Sequence, residues 1–110
     1  MSEVLDAQVL DDLTDHIGVE AARAVIDLFL DECRDLTAVL TAPGAAPAAI
    51  GRAAHSMKSS AGQLGALALS EAALAVETAA EAASPALPQL IAAFRECAVR
   101  TQAELTRRLP

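Results

Sequence analysis

The sequence predicts an all-α protein, an antiparallel up-and-down four-helix bundle with a short additional N-terminal helix, and three observations carry that prediction. The 110 residues are 54% hydrophobic but only 2% aromatic, rich in alanine and leucine and without tryptophan or tyrosine. Strands favour β-branched and aromatic side chains, whereas Ala and Leu are strong helix formers. Apolar residues recur at i, i+3, i+4 and i+7 along most of the chain, the spacing of a buried helix face. The breaks between these segments are short, and they carry glycine, proline or serine where helix caps and first turns accept them.

The first helix is expected over about residues 6–16. Asp6 supplies an N-cap carboxylate, Leu10, Leu13 and Ile17 share one side, and Gly18 stops it. His16 falls in the last turn, where the helix dipole favours a cation, and reads as a surface residue. The second helix, about 19–40, has an inward stripe of Ala22, Val25, Phe29, Cys33, Leu36 and Leu40. Arg23, Asp27, Asp31 and Arg34 occupy its far side, where Arg23–Asp27 and Asp31–Arg34 have ion-pair spacing worth about 0.2–0.5 kcal/mol each.

Residues 41–47 form the clearest loop, and Pro47 suits the first position of a third helix, about 47–64. Gly65 suits a left-handed cap behind it. The fourth helix, about 66–83, must return antiparallel after so short a connection, with Leu69, Ala72, Ala73, Val76 and Ala80 inward. Ser84 and Pro85 read as N-cap and first-turn proline of a last helix, about 85–109, with Leu90, Phe94, Cys97, Ala98 and Leu105 inward. Residues 1–110 then make one domain.

Several function classes fall away at this level. A net charge of −7 opposes nucleic-acid binding, which needs clustered Lys and Arg to neutralise phosphates. No apolar run approaches the ~18 residues of a membrane span, and the N-terminus lacks a basic secretory signal, so a cytoplasmic protein is expected. Cys33 and Cys97 lie on apolar stripes and read as buried reduced thiols, with a disulfide the less favoured alternative. Neither they nor the two histidines show metal-ligand spacing, and no phosphate-cradling loop or G-x-S-x-G elbow occurs.

The informative stretch is the third helix. Ile50, Ala53, Ala54, Met57, Ala61 and Leu64 form its buried stripe. At about 100° per residue, His55 lies roughly 140° from the centre of that stripe and faces outward. Small residues clear the space around it: Gly51 at i−4, Ser59 at i+4 and Gly62 at i+7. Glycine inside a helix costs about 0.5–1 kcal/mol against alanine, so these positions call for a reason. Lys58, the only lysine in the chain, stands at i+3. Helix counting also carries a residue across from the fourth helix. His55 is about 15 Å from the turn at 1.5 Å per residue, and Glu77 reaches the same height on the returning helix.

The run His55-x-x-Lys58-x-Ser60-Ala61-Gly62-x-Leu64-Gly65-Ala66 resembles the active-site helix of histidine-containing phosphotransfer (HPt) domains. The glycine that usually follows the lysine in that pattern is Ser59 here. HPt domains are helical bundles that carry a phosphoryl group on one histidine between receiver-domain aspartates, so the resemblance covers nearly the whole chain.

It implies a phosphocarrier, not a turnover enzyme, with receiver domains of response regulators or a hybrid histidine kinase as partners. His55 would be the phosphoacceptor, Lys58 would offset phosphoryl charge, and Glu77 would orient the imidazole. Gly51, Ser59 and Gly62 would form a docking surface, with Arg52 at its edge. No cofactor or metal is expected, Mg²⁺ belonging to the partner receiver, and the protein is expected to be a monomer. Two rivals remain: a helical adaptor that binds receiver or kinase domains without being phosphorylated, and an enzyme using His55 as general base, which would need a substrate pocket beside it.

Overall fold

A computed structural model describes residues 4–108. Five helices follow one another: α1 (Ala7–Ile17), α2 (Val19–Thr41), α3 (Pro47–Gln63), α4 (Leu67–Glu81) and α5 (Leu87–Arg108), with no strand among the described residues. The helices α2 to α5 pack as a ring, each against its neighbour in the chain, and α5 closes on α2. The α3–α4 register is antiparallel, since Gly51 faces Ala80, His55 faces Glu77 and Gly62 faces Ser70. The molecule is an all-α up-and-down bundle with α1 added at one end.

Burial follows the apolar periodicity closely on α3, where Ile50, Ala53, Ala54, Met57, Ala61 and Leu64 are all in the core. On α2 the buried line is Ala22, Ile26, Phe29, Cys33 and Leu40, with Val25 and Leu36 only half-buried. That helix is turned slightly from the expected stripe, because Ile26 fills the core in place of Val25. On α4, Ala79 goes inside and Ala72 stays at the margin. Ile17 is 44% exposed rather than packed beside Leu10, since Gly18 turns the chain immediately after it.

Thr101 on α5 is fully buried, a position that the apolar pattern passes over. Its hydroxyl donates to the Cys97 carbonyl one turn back at 2.8 Å, so the polar atom enters the core already satisfied. Cys33 and Cys97 are buried free thiols. Burial pushes the Cys33 thiol up from its ordinary value, while the Gln102 amide donates to its sulfur at 3.6 Å.

The helix ends explain how the ring is held. Asp6 caps α1, its carboxylate accepting from the Gln8 N–H. At the α3–α4 turn, Gly65 adopts φ +74°, with its N–H on the Gly62 carbonyl and the Ala66 N–H on the Ala61 carbonyl. The end of α4 repeats this arrangement with an alanine: Ala83 has φ +50°, its N–H reaches Ala80, and the Ser84 N–H reaches Ala79.

α4 therefore stops at Glu81 instead of running to 83. α5 begins at Leu87, not 85, because Ser84 first closes a turn: its hydroxyl accepts from Ala86 N–H and its carbonyl from Leu87 N–H. Position 109, expected at the end of this helix, lies outside the described residues.

The chain before α1 latches onto the α3–α4 turn, with the Asp6 N–H on the Gly65 carbonyl at 2.8 Å. A Cβ at Gly65 would stand 2.9 Å from Val9 Cβ and 3.0 Å from the Asp6 carbonyl oxygen, so only glycine fits there. No helix among the described residues is long and apolar enough to cross a membrane.

Candidate functional site

The site is built on one face of the α3–α4 hairpin. His55 exposes 61% of its side chain, and its Nδ1 lies 2.7 Å from Glu77 Oε2. The other carboxylate oxygen, Oε1, accepts from Lys58 Nζ at 2.9 Å. Glu77 is 13% exposed and Lys58 30%, so the carboxylate sits at the base of the site and the imidazole stands above it. The His55–Glu77 contact expected from helix counting is present, whereas the Lys58–Glu77 contact is not one the sequence predicts. Both arise because His55 and Lys58, three apart, share a helix face, while the tight turn at Gly65 sets the antiparallel register of α4.

The protonation pattern follows from the contacts. The Lys58 ammonium, and secondly the His55 ring, hold the Glu77 carboxyl below the usual carboxylate range, against the opposing effect of burial. An ionised carboxylate only accepts, so Nδ1 carries the hydrogen and donates it to Glu77. In the neutral ring Nε2 then holds the lone pair. Nε2, one carbon removed around the ring, is turned away from the Glu77 carboxylate that holds Nδ1.

The residues around His55 divide into two sets. Gly51, Lys58 and Gly62 lie on the α4 side: a Cβ at Gly51 would meet Ala80 at 3.9 Å, and one at Gly62 would meet the Ser70 hydroxyl at 3.6 Å. Both are ordinary contacts, so neither glycine is required by packing. Stepping at about 100° per residue, Arg52, Ser56 and Ser59 fall on the opposite side of the histidine. Arg52 and Ser59 are exposed, and Ser59 stands where a glycine occurs in the resembling motif. An open groove of about 670 Å³ runs beside the ring, lined by Pro47, Gly51, Arg52, His55, Glu77 and Glu81 among others.

Two supports were not singled out from the sequence. The Ser70 hydroxyl donates to the Lys58 carbonyl at 2.9 Å, tying α4 to α3 beside the lysine. Ser60 donates to the Glu32 carboxylate, joining α3 to α2. Serines on an alanine-rich helix surface give no signal of such cross-helix bonds; only the packed bundle supplies the partner. Among the described residues, no group of three or more His, Cys, Asp or Glu side chains is placed to hold a metal ion.

Comparison with known proteins bears on this geometry. The family model described as Hpt domain matches residues 24–107. Among solved structures, the chain is similar to histidine-containing phosphotransfer protein B (HptB) of Pseudomonas aeruginosa PAO1, with a TM-score of 0.88 and 21% identity over 97% of this chain and 95% of that one. At that identity the likeness speaks for the fold. Nothing among the curated proteins matches significantly. A match over most of the helical bundle, α3 and α4 included, settles membership: the chain belongs to the Hpt domain family, and its role is histidine phosphotransfer in a phosphorelay.

Proposed function

We propose that His55 is the phosphoacceptor, taking a phosphoryl group from a receiver-domain aspartate and passing it to the aspartate of a response regulator. The observation that carries this is the orientation of the ring. An exposed imidazole is held through Nδ1 by an ionised, largely buried glutamate, which leaves Nε2 with its lone pair facing solvent.

In the forward step the Nε2 lone pair attacks phosphorus of the aspartyl phosphate. A P–N bond forms, the P–O bond to the aspartyl carboxylate breaks, and the electron pair leaves on that carboxylate. The Nδ1 proton stays in its hydrogen bond to Glu77 throughout. The reverse sequence delivers the group to the next aspartate. Phosphoryl transfer asks for little covalent help beyond position and charge, and this site offers those two things.

Glu77 is the positioning residue in this reading, and Lys58 contributes positive charge while fixing the Glu77 carboxylate. Gly51, Arg52, Ser59 and Gly62 form the surface on which the receiver sits. The partner supplies the Mg²⁺ of the reaction, and this chain works as a cytoplasmic monomer without a cofactor of its own. The groove beside His55 is open to solvent and does not enclose a small substrate, which weighs for a macromolecular partner over a substrate for general-base catalysis.

The test is transfer from a phosphorylated receiver domain to wild type, His55→Ala and His55→Gln. Acid-labile, base-stable label on wild type alone, with both variants folded, is the expected result. Receivers that bind but never label the wild type would support an unphosphorylated adaptor instead.

A further inference from the structure

The ammonium of the motif lysine is already engaged by a carboxylate. Lys58 lies on the α4 side of His55 and spends its ammonium on Glu77 Oε1 at 2.9 Å. With Nδ1 on Glu77, Nε2 is turned away from that carboxylate, and helical stepping puts Arg52 and Ser59 on the side of His55 away from Lys58. Helical side chains lean towards the helix N-terminus, so the imidazole extends over the turn formed by Gly51 and Arg52. Gly51 has no side chain to block it, and Arg52 lines the same groove as His55. The Arg52 side chain is exposed and has no hydrogen bond or ion pair among the described residues. A guanidinium offers paired N–H donors matched to phosphoryl oxygens, which a lysine does not.

We propose that Arg52 is the residue that pairs with the phosphoryl group once it is on His55 Nε2, while Lys58 remains the partner of Glu77. The proposal rests on His55 being the phosphoacceptor. It separates two positive charges into two tasks: Lys58 holds the carboxylate that orients the ring, and Arg52 holds the anion that the ring receives. Arg52 thus stabilises the phosphorylated state itself, beyond any contact with a docked receiver.

The two contributions separate in an equilibrium measurement with a small phosphodonor that has no docking surface. Potassium phosphoramidate transfers its phosphoryl group to Nε2 as its own P–N bond breaks and its nitrogen leaves as ammonia. With ammonium chloride added at a fixed ratio, His55 occupancy settles to an equilibrium value readable by ³¹P NMR. Arg52→Ala should lower the ratio of phosphorylated to free protein on the order of threefold to fivefold, the scale of an exposed charge pair. Arg52→Lys should recover part of it.

An equilibrium unchanged in Arg52→Ala would overturn the proposal, and a slower transfer from receivers alone would then make Arg52 a docking residue. An equilibrium lowered by Lys58→Ala and not by Arg52→Ala would return the anion to the lysine. Absence of label on wild type would be a failure of the His55 assignment itself, and it is visible before any variant is compared.

Discussion

Glu77 touches both His55 and Lys58 on α3, and its removal therefore has two separable effects. Glu77→Gln keeps a carbonyl that accepts from Nδ1–H but loses the charge that binds Lys58. The loss of one charge-assisted hydrogen bond is about 1.5 kcal/mol, so transfer should slow by roughly tenfold. A purely structural role would leave the His55 tautomer alone, whereas ¹⁵N NMR of Glu77→Gln should show a smaller share of Nδ1–H.

The pH dependence has a definite sign. The folded-state carboxyl lies below its ordinary value of 4.5, so the stability it contributes is complete above that value and disappears as pH falls below it through the folded value. Thermal unfolding should show the gap between wild type and Glu77→Gln closing in that acid window and constant from there to neutrality. At this scale the sequence disclosed the histidine, the lysine and the height of the glutamate, because all three depend on helix counting. It did not disclose that Lys58 is engaged by Glu77 while Arg52 is unpaired among the described residues, since those facts depend on where long side chains settle.

Helix ends decide the next level. The α3 and α4 C-termini close with the same pair of backbone bonds, but one uses glycine and the other alanine at the left-handed position. A left-handed non-glycine residue costs about 1–2 kcal/mol. Gly65→Ala adds close contacts with Val9 and the Asp6 carbonyl to that cost, so it should destabilise by about 2 kcal/mol or more. Ala83→Gly should do the opposite, raising stability by about 0.5 kcal/mol after the extra chain entropy of glycine is counted. Urea unfolding midpoints of the two variants, moving in opposite directions from wild type, would check this. The contrast also explains what could be read in advance. Gly65 announced its cap because glycine is the usual residue there. Ala83 announced nothing, and the end of α4 was expected two residues late.

Across the whole molecule, the bundle was legible because short connections force antiparallel neighbours and the apolar stripes choose the inner faces. What the pattern omits is the latch between the Asp6 backbone and Gly65. A backbone bond between residues so far apart has no side-chain signature, yet it ties the start of the described chain to the turn that sets the site's register. The His55–Glu77–Lys58 contacts lie within α3 and α4 alone. Their geometry depends chiefly on that hairpin, and the other helices act by covering its apolar side.

The tether at Nδ1 also imposes a traffic rule. With one ring nitrogen held against α4, a single edge of the imidazole is left for chemistry, and on the proposed reading donor and acceptor must both arrive there. They cannot be bound at once, so each must leave before the other lands. Transfer through this protein is then a two-stroke exchange, with parallel double-reciprocal plots, and an excess of unphosphorylated receiver should slow its loading. The carrier would respond to the ratio of charged to empty partners rather than to the amount of either.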